Sequence, residues 1–192
     1  MKTGRLEAFS DGVLAIAITI MVLEMKAPDD TSFKALLMIT PVFTSYILSF
    51  IYLGIYWNNH HHLMQVSQKV NGKILWANLH LLFWLSLIPF TTSWIGENEH
   101  YTETLPVFVY GFVLLMCACA YFLLEKALIQ YHDDNSELHK LSKRRLKDYA
   151  SFIIYVIALP LAYINTWLSI LCYVLVAIFW LVPDRRLEKA PE

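Results

Sequence analysis

Charge is what this chain has least of. Only 16% of its 192 residues are Asp, Glu, Lys or Arg, and 57% are hydrophobic, with a mean hydropathy of +0.48. A soluble domain typically carries about 25% charge, so the composition argues against one. Cysteine is scarce too. Cys117, Cys119 and Cys172 lie inside apolar runs at a spacing that fits neither a disulfide framework nor a zinc site, which leaves buried free thiols. Also missing are a Gly-rich phosphate loop, a nucleophile paired with a base, and an acid–base pair, so no enzyme is indicated. Nothing calls for a cofactor, a metal or nucleic acid. The N-terminal apolar run has no small-residue cleavage site, and Arg5, Glu7 and Asp11 interrupt it, so it does not read as a removable signal.

Long apolar runs are what the chain has instead. The stretch Arg5–Lys26 opens with Arg5, Glu7, Ser10 and Asp11, then carries no charge from Gly12 to Leu23. Residues 8–25 would form a helix of about 27 Å, close to the thickness of a bilayer core. Small residues (Gly12, Ala15, Ala17) alternate there with β-branched ones (Ile16, Ile18, Thr19, Ile20), a composition that favours helix–helix over helix–lipid contact. We therefore expect an inner helix with the others packed around it.

Five further runs follow, at about 35–57, 74–95, 105–124, 148–163 and 166–182. Pro41 and Pro106 sit near the starts of theirs, where proline is tolerated. Pro89 predicts a kink in the third run, with Ser86 or Thr91 satisfying freed backbone groups. Pro160 predicts a bend in the fifth, and Asn165-Thr166 predicts a tight hairpin turn. Six Trp and eleven Tyr suit membrane interfaces. The expected fold is an all-α integral membrane protein of six transmembrane helices, a single domain over 1–192. With six spans, thirteen of the fifteen Lys and Arg fall on one side, and Lys26 and Lys34 alone on the other. By the positive-inside rule both termini are cytoplasmic, in a multi-pass protein of the plasma membrane.

Ile16, Thr19, Ile20 and Leu23 form one helical stripe. Spacing leaves two readings open: packing against another helix, or lining a narrow pore made by several copies. An apolar ring can gate ions by dewetting, and a threonine oxygen can help coordinate a partly dehydrated cation. Ser10, Asp11, Asn78 and His80 come to similar depth and are expected to form one buried network, either a structural clamp or a titrating gate. His60-His61-His62 reads as a solvated interfacial cap rather than a metal site, because adjacent helical residues diverge. Lys143-Arg144-Arg145-Lys147 suits anionic lipid headgroups, or topology determination alone.

The head Arg5-x-x-x-Phe9-Ser10-Asp11, followed by an apolar helix with Ile16, Thr19 and Leu23, resembles the signature of the transmembrane protein 175 family. Its members are potassium-permeable channels of prokaryotic membranes and of animal endosomes and lysosomes. Animal members resemble two six-helix repeats in one chain and work as dimers. A single repeat therefore implies a homotetramer with four first helices around a central pore. The resemblance implies a constriction at Ile16, with Thr19, Ile20 and Leu23 further along the path of potassium and other monovalent cations. It also implies a cytoplasmic-side structural network of Arg5, Phe9, Ser10 and Asp11, with His80 matching a third-helix histidine. The family lacks a carbonyl-lined filter, and no T-V-G-Y-G loop occurs here, so potassium selectivity over sodium should be modest. The rival reading is a proton-coupled transporter using Asp11 and His80, against which stands the lack of an inverted repeat with paired broken helices.

Overall fold

Hydrocarbon offers no hydrogen-bond partners, so a chain with these apolar runs must satisfy its backbone internally, and helices do so. The computed structural model describes residues 3–28, 30–67, 69–97, 103–132 and 146–181. Its elements are α1 (Gly4–Glu24), α2 (Phe33–Met38), α3 (Thr40–Gln65), α4 (Gly72–Leu85), α5 (Ile88–Gly96), α6 (Thr104–Tyr131), α7 (Leu146–Leu161) and α8 (Thr166–Leu181). Three of the described stretches are long and apolar enough to cross a bilayer alone: Gly4–Glu24, Gly72–Gly96 and Thr104–Tyr131. The basic cluster Lys143-Arg144-Arg145 and the C-terminal basic residues lie outside the described residues.

Two expected single helices are broken, each at a proline. The run 35–57 divides at Ile39 into α2 and α3, with Pro41 in the first turn of α3, which extends eight residues past Trp57 to Gln65. The run 74–95 divides at Ser86-Leu87, with Pro89 opening α5. Proline lacks the N–H that would continue the ladder and is favoured where a new helix starts. The Ser86 and Thr91 hydroxyls bond the carbonyls of Phe83 and Ile88 on either side of that break. Short polar side chains cap the starts. Asn71 accepts from the Ile74 N–H and Asn165 from those of Trp167 and Leu168, while Ser32 accepts from Ala35 N–H. Ser32 also donates to Asp30 Oδ2 at 2.7 Å and holds that carboxyl below its ordinary pKa.

Cross-helix bonds fix the directions. His60 meets Asn78, Ser49 meets Thr92, and Ser45 bonds the Thr92 carbonyl, so α4 and α5 together run antiparallel to α3 as one interrupted rod. His61 near the end of α3 meets Glu7 near the start of α1. Tyr121 donates to the Asn59 carbonyl, and Lys147 lies at the Phe179 carbonyl. The starts of α1, α4 and α7 thus share one end of the bundle with the ends of α3, α6 and α8.

Within the protomer the most enclosed helix is α6, packed on α4, α5, α7 and α8, and α1 lies on the flank against α3, α4 and α5. The expectation that the others pack around the first helix does not hold inside a single chain. Close packing and buried hydroxyl bonds hold the core. Tyr155 donates to the Tyr52 hydroxyl, Tyr52 to the Tyr173 carbonyl at 2.6 Å, and Tyr173 to the Val107 carbonyl. Gly111 lets α6 approach the Tyr173 ring: a Cβ there would lie 1.9 Å from the phenol oxygen.

Candidate permeation face and its polar clamp

The residues of α1 divide by face. Leu6, Ser10, Leu14, Ala17 and Met21, spaced three or four apart, are buried against the bundle. The opposite stripe points away from it: Ile16 is 58% exposed, Ile20 40% and Leu23 79%, and Thr19 is exposed beside them. All four stripe residues come together as one outward face, and none packs into the core of its own chain. Thr19 donates to the Ile16 carbonyl at 2.9 Å, which leaves its oxygen lone pairs directed outward. Beside the stripe runs a groove of about 610 Å³ where Ile16 and Ile20 face Pro89, Phe90 and Trp94 of α5.

The buried face carries the clamp. Ser10 Oγ donates to the Leu6 carbonyl at 2.9 Å and accepts from Asn78 Nδ2 at 3.0 Å. Asn78 Oδ1 lies 2.8 Å from His60 Nε2. Since the serine proton is spent on Leu6 and the amide nitrogen on Ser10, His60 Nε2 must be the donor, which fixes its tautomer. Ser10, Asn78 and His60 are each at most 2% exposed, so α1, α3 and α4 are joined by a dry chain of hydrogen bonds. His60 Nδ1 is buried with no partner among the described residues.

Asp11 and His80 stand outside this chain. Asp11 Oδ1 accepts from Trp57 Nε1 at 3.0 Å, and His80 Nε2 accepts from Trp84 Nε1 one turn along its own helix, also at 3.0 Å. Arg5 and Phe9 are exposed. The structure therefore brings Ser10 and Asn78 together, gives Asp11 a separate bond to α3, and leaves His80 apart. The reason is helical phase: residues two apart do not share a face, so Asn78 and His80 cannot both reach α1. Sequence reasoning missed His60, Trp57 and the contact of His61 Nδ1 with Glu7 Oε1 at 2.7 Å. It took His60–His62 for a solvated cap, yet His60 is buried and His61 stacks on Trp57 at 5.9 Å between centroids. The available signal was the length of α3, which carries the histidines back over the first turns of α1 and α4. Among the described residues no three His, Cys, Asp or Glu side chains are grouped to hold a metal ion.

Residues 5–89, which hold both the stripe and the clamp, match the family model described as endosomal/lysosomal potassium channel TMEM175. Over nearly the whole chain the fold is similar to the crystal structure of a lysosomal potassium-selective channel TMEM175 homolog from Chamaesiphon minutus. The TM-score is 0.81 at 30% identity, covering 94% of this chain and 96% of that one. The chain belongs to the TMEM175 family. Within that family it is 54% identical, over 99% of its own length and 98% of the relative's, to a protein of Chryseobacterium sp. (strain P1-3) named a potassium channel. A second relative so named, from Chamaesiphon minutus (strain ATCC 27169 / PCC 6605), is 30% identical with 93% of each chain covered. Membership of this family of ion channels, together with the apolar helices, makes the chain a multi-pass membrane protein rather than a member of an enzyme class.

Proposed function

We propose that the chain is a potassium-permeable cation channel, conducting passively through a central pore formed by the α1 helices of a homotetramer. The observation that carries this is the outward stripe of α1: Ile16, Thr19, Ile20 and Leu23 are presented together while the opposite face holds the helix to its bundle. Relatives named potassium channels over almost the full length support the choice of ion. The rings of Ile16 and Leu23 form an apolar constriction that closes by dewetting and opens when the four helices rotate or splay. Thr19 oxygens between them replace part of the hydration shell of the passing cation, with Ile20 further along the wall. With side chains rather than a rigid cage of carbonyls, discrimination of potassium from sodium is modest.

Around this pore the chain makes six spans, with α4 and α5 as one and α2 as a short approach to α3. The whole of 1–192 serves as one channel domain surrounded by membrane lipid. Both termini face the cytoplasm of the cell whose plasma membrane holds it. Support for that orientation comes from Arg5, Lys69, Lys73, Lys126 and Lys147 lying at one end of the bundle and Lys26 and Lys34 at the other. The Ser10–Asn78–His60 chain, with the Asp11–Trp57 and Glu7–His61 bonds, anchors the cytoplasmic half of α1 while the Leu23 end is left free to move. Proton-coupled carriage through a joint Asp11–His80 site is disfavoured, because each of the two takes a different tryptophan partner.

The test is ion flux from proteoliposomes holding the purified protein, under a potassium gradient without a pH gradient. The expected current reverses near the potassium potential, and Ile16→Asn, by wetting the ring, raises sodium permeability relative to potassium. Flux that begins only when a proton gradient is imposed would overturn the channel in favour of a carrier. Unchanged permeability ratios in Ile16→Asn would remove Ile16 as the constriction.

A further inference from the structure

A cavity of about 470 Å³ lies between α3, α6, α7 and α8, toward the end of the bundle where α7 starts and α8 ends. None of its lining residues belongs to α1, α4 or α5, so the permeation face takes no part in it. The wall runs from Tyr52 to Asn59 on α3 and from Asp148 to Tyr155 on α7, about 10 Å along the bundle at the helical rise. Its character changes over that length. Asn59, Asp148 and Tyr149 stand at the outer end, while Tyr52 and Tyr155, whose hydroxyls are 3.1 Å apart, close the inner end. Exposed Leu123, Tyr149 and Phe152 mark a mouth that opens sideways between α6 and α7.

Three features of the wall select the guest. Eight of the fifteen lining residues are Tyr, Phe or Trp, and much of the polar capacity is spent internally. Trp180 Nε1 donates to Ser151 Oγ at 2.8 Å, Tyr121 to the Asn59 carbonyl at 3.2 Å, and the Asn59 amide nitrogen to the Ile55 carbonyl. The body of the guest is therefore apolar. Tyr56 and Tyr149 add hydroxyl groups, which can donate to a carbonyl oxygen. Charge of both signs meets at the outer end: Asp148 is in the wall, and Lys147 Nζ lies 5.1 Å from the centroid of Phe179 and 6.0 Å from that of Trp180. A lone cation or a lone anion gains little there. Unfilled space of this size forfeits dispersion contacts, and hydrocarbon lies at the mouth. The chain has no apolar segment of its own to place in it, since seven of residues 133–145 and six of residues 182–192 are charged. We propose that this cavity holds one acyl chain of a membrane phospholipid, which enters between α6 and α7. Its ester carbonyls lie at the level of Tyr56 and Tyr149, and its headgroup lies outside, beside Asp148 and Lys147. By the orientation argued above, the lipid belongs to the inner leaflet.

Trp180 is the single tryptophan lining the cavity and gives a direct readout. Protein in a large excess of bromine-free detergent is titrated with phosphatidylcholine carrying a 6,7-dibromostearoyl chain, whose bromines quench a nearby indole. The difference between the native protein and Trp180→Phe isolates the Trp180 signal. The expected result is a loss of half or more of that signal, saturating near one lipid per chain and abolished in Cys119→Phe, which fills the cavity from α6. Quenching that rises in a straight line, or is unchanged in Cys119→Phe, reports lipid around the protein and overturns the site. Should Cys119→Phe fail to elute as folded protein, the stoichiometry in the native sequence decides alone. Saturable quenching by 4-bromobiphenyl that excess unbrominated phosphatidylcholine does not relieve would assign the cavity to a rigid aromatic guest and overturn the acyl chain. None of these readouts involves ion flux, so the lipid site stands or falls separately from the channel.

Discussion

Asn78 is the residue on which three helices depend, because its one amide serves both Ser10 of α1 and His60 of α3. Replacing it with leucine of similar size keeps the volume and strands the buried His60 Nε2, a cost of about 1–3 kcal/mol, while Ser10 loses its donor from α4 and keeps its bond to the Leu6 carbonyl. Asn78→Leu should therefore lower the thermal midpoint in detergent by several degrees while His80→Leu, which removes a bond within one helix, lowers it less. Equal shifts would show that Asn78 carries no special share. Part of this clamp was legible beforehand. Depth counted from the charged ends placed Ser10 and Asn78 together, since rise per residue is the same in every helix. Depth has no information about azimuth, however, and azimuth separates Asn78 from His80. The histidine that completes the chain comes from α3, where three consecutive histidines concealed that they point to three different environments: buried on Asn78, paired with Glu7, and half-exposed.

At the scale of elements, the bundle is spaced by what is small. Tyr173 occupies the room left by the missing side chain of Gly111, and its hydroxyl is tied to the Val107 carbonyl and lies 2.8 Å from Ser169 Oγ. A methyl group on Gly111 would meet that oxygen at 1.9 Å and the adjoining ring carbon at 2.4 Å, so α6 and α8 must separate or the ring must leave. Gly111→Ala should cost about 1–3 kcal/mol by overpacking. Tyr173→Phe added to it should recover part of the loss, since it removes the closest atom and leaves the ring; a thermal midpoint measured for both variants checks this. No recovery at all would mean that the ring carbons of residue 173, which stay in place, block the methyl group without the oxygen. Helix existence was readable from apolar run length for every long element, because the cost of unpaired backbone in lipid admits no other local solution. Helix breaks were less readable. Pro89 was expected to kink a helix and instead opens a new one, and Pro41 ends a short helix before opening the next. Proline fixes where the ladder is interrupted, and packing on both sides decides whether the two halves stay joined.

For the whole molecule, the open question is which solvent the outward stripe of α1 meets. Exposure in a single protomer does not distinguish lipid from water: Leu23 is 79% exposed, and Ile153 on the outer face of α7 is 56% exposed. The chemistry of a thiol does distinguish them, because only the thiolate attacks, and a thiol in hydrocarbon stays protonated. If four stripes surround a pore, Leu23→Cys lies in water near its non-cytoplasmic mouth, and Ile153→Cys lies in lipid. A charged, membrane-impermeant methanethiosulfonate applied from that side should then modify Leu23→Cys and reduce the potassium current by half or more. Ile153→Cys should keep its current, as should the native protein, whose Cys117 is buried and whose Cys119 and Cys172 are half-buried. Modification of both engineered thiols at the same rate would mean that α1 is no better wetted than α7, and the central pore would have to be sought elsewhere. Reaction confined to Leu23→Cys, with the current falling in step, would tie the outward stripe, the water and the ion path to one face of one helix.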